Sequence, residues 1–328
     1  MKDIIISELE TLSKKEMIEK NTFKVRAYQK VIKQLNELDK IESWDDLEDI
    51  CGIGKKIHSK IDEIFKTGKL NSAERARSNY NLHIFDELMK IYGIGASKAK
   101  ELVDDYLVTS IDDLKVKLEK DSSILNNVQK IGLKHYDDIN LKIPRKEMKQ
   151  HETFLLETLS ELDKDIMITI VGSYRRNAKE SSDIDVLVTL NRKTTLKERT
   201  ELMCHIIQTL KETSYIKNSL SLGDKKYMGI VKLKRKRHVR RMDILITSQE
   251  EYPYAMLYFT GSKELNIIMR QNALDKGFHL NEYSLYDNKN NKLILKSEKD
   301  IFNKLGYEYI PPENRTNSNQ IKLFNMNL

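Results

Sequence analysis

Two kinds of hydrophobic pattern divide the chain. From residue 1 to about residue 140, apolar residues recur at helical spacing, which predicts a mostly helical half. The Lys-Ile-Pro sequence at 142 to 144 marks a junction, because proline disfavours helix before it. Shorter apolar runs typical of buried strands follow, at residues 167 to 171, 183 to 190 and 240 to 247. After Tyr252 a smaller mixed segment runs to Pro312, so the pattern predicts an α+β protein of several domains.

The helical half contains an internal near-repeat. The sequences EDICGIGKKIHSKI and MKIYGIGASKAKEL lie 41 residues apart, and in each a lysine-rich helical pattern follows Gly-Ile-Gly. The glycines at Gly52, Gly54, Gly93 and Gly95 allow a tight turn whose amides face a phosphate at the start of a helix. This pattern is typical of helix-hairpin-helix contacts to the DNA backbone, which involve no base readout. Plain structural turns are the alternative.

Composition narrows the choice of partners and compartment. The net charge of +7, with 57 lysines and arginines, favours a polyanionic partner, although a merely soluble basic protein has the same balance. Cys51 and Cys204 cannot form a disulfide framework, and no cysteine and histidine cluster suggests zinc, so we expect an intracellular, reducing compartment. No apolar run approaches the roughly 20 residues of a membrane span, and the N-terminus lacks the apolar core of a signal peptide. We therefore expect no membrane partner.

A run of basic residues, KRKRH at 234 to 238, stands between two strand patterns. It is either a nuclear localisation signal or, more simply, a basic hairpin tip over DNA. The sequence does not decide between the two, and the compartment within the cell stays open between the nucleus and another site of DNA replication or repair.

The candidate chemistry begins with a seat for phosphate. The apolar stretch Met167 to Val171 predicts a strand, and Gly172 with Ser173 then opens a predicted helix that carries Arg175 and Arg176. Glycine lets a phosphate approach the backbone, the serine hydroxyl can donate to it, and free amides at a helix start favour anions. The segment is suited to the tail of a triphosphate.

Three aspartates complete this chemistry. Asp183 and Asp185 stand two residues apart at the start of an apolar run, which puts both carboxylates on one face of a strand. Asp243 interrupts a second apolar run, as expected if it lies opposite the first pair in the same sheet. Three carboxylates around two magnesium ions clamp the attacking and leaving oxygens of an in-line phosphoryl displacement. A lone pair of acids is usually a solvated turn, but the joint pattern predicts a nucleotidyltransferase.

These motifs resemble those of the family X DNA polymerases, most closely the beta enzyme, from about Phe23 to Arg315. The resemblance implies a helical N-terminal half with two helix-hairpin-helix motifs, a nucleotidyltransferase-type palm sheet and a small α/β C-terminal subdomain. The expected divisions are 1–77, lyase-like; 78–143, DNA-binding; 144–250, the palm; and 251–328, nucleotide-selecting. The matching stretches are AYQK, GIGKKIHSKIDEIFKTGKL, YGIGASKA, IGLKHYDDI, IPRKEM, GSYRR with SSDID, LGDKKYMGI, RRMDI, LYFTGSKELNIIMR, KGFHLNEYSLYD and KSEKDIF.

The resemblance assigns roles around the nucleotide. Asp183, Asp185 and Asp243 match the metal-binding aspartates; Asp243 would also orient or accept the primer 3′-hydroxyl proton, and Arg241 is the arginine beside it. The remaining matches are Arg145, Ser173 and Arg176 at the triphosphate, Tyr258, Phe259, Thr260 and Gly261 at the sugar, Asn266 and Arg270 at the base pair, and Glu282 and Tyr283 in the supporting shell. An ordinary capped amphipathic helix is the alternative for LYFTGSKELNIIMR.

A second activity is implied for the N-terminal module. Lys56 and Lys60 are four residues apart, on one helix face, and a neighbouring ammonium group favours the free amine that attacks an aldehyde. Lys60 matches the family's lyase nucleophile, which removes a 5′-deoxyribose phosphate through a Schiff base. Lys24, Tyr28 and Lys56 match its 5′-phosphate pocket. Solvated lysines on an exposed helix are the alternative.

Three positions depart from the beta enzyme's pattern. Lys263 replaces an aspartate next to the nucleotide base, and Leu245 replaces an arginine that pairs with a metal aspartate in the open form. Together they predict modest fidelity, since the lysine would tighten nucleotide binding and the leucine removes one brake on metal-site assembly. Ser72 replaces a lysine of the lyase pocket, which weakens the expected affinity for a 5′-phosphate.

The resemblance also implies the cofactors and partners. Two Mg²⁺ ions are expected at the aspartates, with Mn²⁺ as a substitute, and a monovalent cation at the helix-hairpin-helix turns. Gapped or nicked DNA and dNTPs would be the substrates, a DNA ligase a further partner, and the protein a monomer. A template-independent terminal or RNA-tailing transferase, and a non-catalytic DNA-binding scaffold, remain alternatives.

Overall fold

The computed structural model describes residues 1–315, so the polar segment from 316 to 328 lies outside the described residues. The chain divides into two compact units, an N-terminal unit from Met1 to Tyr136 and a C-terminal unit from Asp137 onward. Each has its own hydrophobic cores. In the part of the chain that the structure describes, no helix is both long and apolar enough to cross a membrane.

The N-terminal unit is built of helices, as the sequence predicts. Apolar residues at helical spacing bury one side of α1, α2 and α3 in a first core, and those of α5 and α6 in a second. A further short helix, α9 (Tyr136–Ile139), lies at the boundary between the units. The helices of this unit are α1 (Lys2–Ile18), α2 (Thr22–Glu37), α3 (Lys55–Thr67), α4 (Asn71–Asn79), α5 (Leu82–Met89), α6 (Ala96–Asp104), α7 (Ile111–Lys120) and α8 (Asn127–Lys134), with 3-10 turns at Asp45–Leu47 and Ser122–Ile124.

Both Gly-Ile-Gly sequences form the predicted turns. Gly52 and Gly93 adopt φ angles of 103° and 87°, a left-handed region that a side chain rarely tolerates. Gly54 and Gly95 are the N-caps of α3 and α6, and neither helix start has a side-chain cap. The first amides of both helices are therefore open to an anion.

A five-stranded sheet with the order β2-β4-β7-β6-β5 forms the centre of the C-terminal unit. Strands β4 and β7 run parallel, whereas the other neighbours are antiparallel. The elements up to the end of this sheet are β1 (Ile143–Pro144), α10 (Arg145–Leu159), β2 (Ile166–Ile170), α11 (Gly172–Arg175), β3 (Glu180–Ser181), β4 (Ile184–Leu190), α12 (Leu196–Glu212), β5 (Ile216–Leu222), β6 (Lys226–Val231) and β7 (Arg240–Thr247).

The two faces of this sheet have different neighbours. Alternate residues of β4 and β7, such as Val186 and Ile244, pack in one core with apolar residues of α10 and α12. The residues between them, such as Leu187 and Leu245, pack on the opposite face against Ala255. Asp185 and Asp243 have the sequence parity of Leu187 and Leu245, so they belong to the face away from α10 and α12.

The remaining elements form a smaller α/β subdomain with its own core. A buried ion cluster attaches it to α11: Arg175 and Arg315 both donate to Glu298, at 2.6 Å each, and Arg175 also donates to the Thr260 hydroxyl at 2.6 Å. The elements are α13 (Tyr252–Thr260), α14 (Lys263–Asp275), β8 (Phe278–Leu280), β9 (Leu285–Asp287), β10 (Lys292–Leu293), α15 (Glu298–Lys304) and a 3-10 turn at Pro312–Asn314.

Some sequence-based expectations need correction. The helix opened by Gly172 is a single turn that ends at Arg175, so Arg176 follows it rather than lying within it. The LYFTGSKELNIIMR segment is not one amphipathic helix, because Gly261 separates α13 from α14 and Ser262 caps the second helix. The basic run at 234 to 238 lies, as expected, in the connection between two paired strands.

Candidate active site

Two of the three aspartates are direct neighbours across the parallel strand pair. Asp185 of β4 stands in register with Asp243 of β7, and Asp183 precedes β4 by one residue. Neighbouring strands are about 4.8 Å apart, so three like charges lie close together near the beginning of these two central strands. Such a group requires cations to balance it.

Two basic side chains supply part of that balance. The guanidinium of Arg241 pairs with the carboxylate of Asp183. Lys226 Nζ lies 3.3 Å from Asp243 Oδ2, whereas Asp243 Oδ1 is buried and has no hydrogen-bond partner among the described residues. Leu245 is buried in the apolar face of the sheet, in the same core as Ala255.

The electrostatics of the aspartates reflect this crowding. Desolvation raises the pKa of Asp185, and the charges of Asp183 and Asp243 raise it further. Burial also raises the pKa of Asp243, although Lys226 and Arg241 partly offset that shift. A cation that approaches these crowded carboxyl groups stabilises their ionised form.

The carboxylate oxygens of the three aspartates are donors that fit divalent metal ions. Within residues 1–315, no group of three or more histidine, cysteine, aspartate or glutamate side chains is arranged to hold a metal ion. Asp183 pairs with Arg241 and Asp243 pairs with Lys226 in this arrangement. The three carboxylates, which include the buried and unpaired Oδ1 of Asp243, supply the hard oxygen donors that Mg²⁺ prefers.

The proposed phosphate seat lies against the aspartates. Gly172 has a φ of 62°, and a Cβ atom there would lie 2.2 Å from Asp185 Oδ2. A side chain at this position would clash with the carboxylate, so glycine lets the backbone of α11 pack directly against Asp185. Ser173 donates its hydroxyl to Ser181 at 2.8 Å, which fixes its oxygen beside the turn.

Arginines flank this seat. Arg176 donates to the Thr260 carbonyl at 2.6 Å, and burial lowers its pKa. Arg145 donates to the Tyr174 carbonyl at 2.9 Å and lies over the Tyr174 ring at 4.4 Å. Both guanidinium groups are thus positioned by backbone carbonyls, which leaves further donors on each for a ligand.

A cavity of about 530 Å³ gathers most of the residues predicted to bind the nucleotide. Its lining includes two residues that sequence reasoning missed, Ser182 and Ile267. Ile267 is exposed on α14 one helical turn after Lys263. This spacing puts both residues on one helix face, so the sequence contained the signal that they line the same cavity. The predicted residues in the lining are Gly172, Ser173, Arg176, Asp183, Asp185, Tyr258, Phe259, Gly261, Lys263, Asn266 and Arg270.

Other predicted residues lie outside this lining. Asp243, Arg145 and Arg241 are among them, although Asp243 is in register with Asp185 and Arg241 contacts Asp183. Tyr283 packs under Lys225, whose Nζ lies 4.7 Å from the ring centre. The supporting contacts that the structure does contain are Arg270 to Glu282 at 3.0 Å and Asn266 to the Tyr258 carbonyl at 2.7 Å.

The N-terminal unit has a cavity of its own, of about 990 Å³. Its lining also includes acidic and basic residues that sequence reasoning missed, among them Glu16, Glu19 and Arg75. Arg75 lies one helical turn from Ser72 and restores a cation to this wall of the cavity. All the residues predicted for the lyase pocket and the adjacent turn line it, namely Lys24, Tyr28, Gly52, Gly54, Lys56, Lys60 and Ser72.

Lys56 and Lys60 of α3, four residues apart on one helix face, both line this cavity. Lys60 is half-buried, and its Nζ lies 3.4 Å from the Lys56 carbonyl. In the described residues no carboxylate pairs with Lys56 or Lys60, whereas Lys24 pairs with the buried Glu16 at 2.9 Å. The cavity therefore contains an uncompensated amine next to other cations, which is suited to an anionic ligand.

Comparison with known protein families gives matches to four successive segments of the chain. Family models match in chain order, as a helix-hairpin-helix domain at 3–70, the fingers domain of DNA polymerase lambda at 86–140, the DNA polymerase beta palm at 142–249 and the DNA polymerase beta thumb at 255–316. DNA polymerase lambda of Arabidopsis thaliana is 29% identical over 297 residues, which cover 84% of this chain and 54% of that protein.

Two further relatives agree. DNA polymerase lambda of Rattus norvegicus is 27% identical over 95% of this chain and 56% of that protein. DNA nucleotidylexotransferase of Xenopus laevis is 28% identical over 84% of this chain and 60% of that protein. The chain thus spans a little over half the length of these curated relatives. Because palm, thumb, fingers and helix-hairpin-helix models match in sequence order, the chain belongs to the family X DNA polymerases, close to the beta and lambda enzymes.

Proposed function

We propose that the chain is a template-directed DNA polymerase that fills short gaps in base excision repair, adding nucleotides from dNTPs to a primer 3′-hydroxyl. The observation that carries the proposal is the register of Asp185 with Asp243 across parallel strands, with Gly172 in contact distance of Asp185. Gapped or nicked DNA would be the substrate, and a DNA ligase would follow in the same repair. The enzyme would be a monomer that acts in the nucleus or at another site of DNA replication or repair.

The residues divide the reaction between them. Asp183, Asp185 and Asp243 would hold two Mg²⁺ ions, which stabilise the attacking and leaving oxygens of the displacement. Asp243 accepts or orients the proton of the primer hydroxyl, and its buried Oδ1 is free of other hydrogen bonds within residues 1–315. Arg241 and Lys226 each contact one oxygen of a carboxylate, Oδ2 of Asp183 and Oδ2 of Asp243, and would compete with the ions for these two oxygens.

The nucleotide would be held along the cavity. The amides of Gly172 and Ser173, together with Arg176 and Arg145, bind the triphosphate, where forked guanidinium groups match phosphate geometry. The segment Tyr258 to Gly261 lies against the sugar and disfavours a 2′-hydroxyl. Asn266 and Arg270 reach the base pair, and Lys263 adds a cation beside the base, which supports the expected modest fidelity.

Replacing Asp185 tests the polymerase. Asp185→Ala should lower single-nucleotide addition at a one-nucleotide gap by about 10⁴-fold, or roughly 5 to 6 kcal/mol of barrier, because a metal-binding carboxylate is lost from the reacting centre. Binding to the gapped DNA should remain nearly unchanged. Asp224→Ala is the matched control, since Asp224 is an exposed acid in the turn between β5 and β6 of the same sheet.

The outcome of varying the template base separates the alternatives. Addition that follows the template and is lost only in Asp185→Ala supports a gap-filling polymerase. Addition that ignores the template would replace it with a terminal transferase, the activity named for the Xenopus laevis relative. DNA binding without any addition would leave a non-catalytic scaffold.

We propose a second activity, 5′-deoxyribose phosphate lyase, for the N-terminal unit. The supporting observation is the half-buried Lys60 inside a cavity lined by further cations. Its free amine would add to the C1′ aldehyde with loss of water, and abstraction of a C2′ proton would then expel the 3′-phosphate. Lys24, Tyr28 and Lys56 would bind the 5′-phosphate, and Arg75 would act in place of the lysine that Ser72 replaces.

Borohydride trapping tests the lyase. Unaltered protein should form a reduced covalent adduct with DNA that carries a 5′-deoxyribose phosphate, and Lys60→Ala should lose at least about 90% of it, because the nucleophile is removed. Lys66→Ala, on the exposed side of the same helix, should retain the adduct. An adduct of equal yield in Lys60→Ala would assign the chemistry to another amine.

A further inference from the structure

A basic loop connects the strand that carries Asp243 with its antiparallel neighbour. This loop, residues 232 to 239, joins β6 to β7 and contains Lys234, Arg235, Lys236 and Arg237 in succession. Lys234, Arg235 and Arg237 are exposed, and Lys236 is half-buried. Neither the metal site nor the nucleotide cavity uses any of these side chains.

The loop is held in one shape at both ends. At its start, the Lys232 amide donates to the Tyr215 carbonyl at 2.9 Å. At its end, both oxygens of Asp138 accept, one bonded to His238 Nδ1 at 2.6 Å and the other receiving the Val239 amide at 3.0 Å. Arg235 lies between these ends in the left-handed region, with a φ of 64°, so the chain reverses inside the basic run.

The charges of this loop are not balanced by the protein. Across residues 1–315, no carboxylate forms an ion pair with Lys234, Arg235, Lys236 or Arg237. Four consecutive like charges in a tight turn repel each other, and holding them together costs stability. A polyanion placed against the loop would remove that repulsion and release its own counterions.

The position of the loop indicates which polyanion. Val239 precedes Asp243 by four residues of extended chain, which is about 13 Å. A DNA duplex carries one charge per about 1.7 Å of axis, so a primer terminus at Asp243 would have roughly eight phosphates within that axial distance. We propose that the loop binds the sugar-phosphate backbone of the duplex that ends at the active site, without reading its sequence. This inference rests on the proposed polymerase function.

The shape of the loop argues against the other interpretation of the same residues. A nuclear import receptor would have to take KRKRH as an extended peptide, whereas here the run reverses direction at Arg235 and ends in the bonds to Asp138. Releasing it would break the contacts of His238 and Val239 with Asp138. The backbone-binding role requires no such change.

Salt dependence of DNA binding provides the test. The triple variant Lys234→Gln, Arg235→Gln and Arg237→Gln should be compared with unaltered protein, using gapped duplex DNA without dNTP, between about 50 and 200 mM salt. Each lost phosphate contact removes roughly 0.9 from the slope of log K against log salt, so the slope should become shallower by about two to three. Affinity at the lowest salt should fall at least about tenfold.

A control with the same change in charge makes the result specific. Lys193→Gln, Lys197→Gln and Lys211→Gln remove three exposed cations on or next to α12, and this variant should retain the full slope. An unchanged slope in the loop variant overturns the inference, and so does loss of import-receptor binding with no change in DNA binding. Templated addition at saturating DNA should be equal in all three proteins. If none of them adds nucleotide, the polymerase proposal fails while the slopes still judge the loop.

Discussion

At the scale of single residues, a glycine packs tightly against an acid in the active site. A Cβ at Gly172 would lie 2.2 Å from Asp185 Oδ2, and the φ of 62° is itself unfavourable for a side chain. Gly172→Ala must therefore displace Asp185 or the turn of α11. We expect nucleotide addition to fall by about 10²-fold, because misplacement by an ångström or so costs about that much. Single-turnover addition at a gap measures it.

Gly223→Ala is the matched control for this substitution. Gly223 lies in the turn between β5 and β6, where the nearest atom to an added Cβ is the Lys226 carbonyl at 3.6 Å, an ordinary contact. It should keep the normal rate. Full activity in Gly172→Ala would show that the phosphate seat tolerates a shift of Asp185, and the close packing of backbone and carboxylate would lose its functional meaning.

The charged residues of the site were the hardest to predict individually. The sequence placed Arg241 beside Asp243, and the structure adds that its guanidinium pairs with Asp183. The sequence did not indicate a role for Lys226, although this residue of β6 contacts Asp243 on the neighbouring strand β7. Such pairings depend on which strands become neighbours, and spacing along one strand does not contain that information. The glycines and acids were easier because local backbone geometry and alternation specify them.

At the scale of elements, the hydrophobic pattern predicted most of what forms. The run from Met167 became β2 with an error of one residue at each end, and helices begin directly after Gly54 and Gly95. The parallel pairing of β4 with β7 is different in kind, since α12, β5 and β6 intervene between the two strands. Alternation predicted that Asp243 would share a sheet face with Asp185, and the register confirms it.

Breaks between elements were predicted less well than the elements. The turn at Gly261 divides a segment whose apolar spacing continues from α13 into α14, so periodicity alone did not reveal it. Likewise, α11 ends after one turn, and Arg176, the residue after it, donates to the Thr260 carbonyl 84 positions away along the chain.

At the scale of the whole molecule, a net charge of +7 suits a nucleic-acid partner but also makes acid a threat to the fold. The C-terminal unit contains a buried pair that resists acid. Arg240, which is 4% exposed, donates to both oxygens of Glu147 at 2.7 and 3.1 Å. His151 and Arg240 hold the pKa of Glu147 at about 2. This pair joins α10 to β7, the strand that carries Asp243.

Glu147→Gln should destabilise the C-terminal unit by about 3 kcal/mol at neutral pH, because it leaves the buried Arg240 without its counter-charge. Urea unfolding measures the loss of stability. Hydrogen exchange of the folded protein shows whether the amides of α10 and β7 lose protection. Glu157→Gln is the matched control, since Glu157 is an exposed acid on the same helix and should change stability by less than about 0.5 kcal/mol.

The pH dependence of this difference distinguishes an ion pair from a merely packed side chain. The folded pKa of about 2 lies below the value of about 4.3 expected in the unfolded chain, so folding favours the ionised form of Glu147. Its contribution is complete above about pH 4.3 and is lost as the pH falls toward 2. The gap between unaltered protein and Glu147→Gln should therefore narrow over that interval. A gap that stays constant down to about pH 2 would mean that Glu147 stabilises α10 and β7 by shape and not by charge.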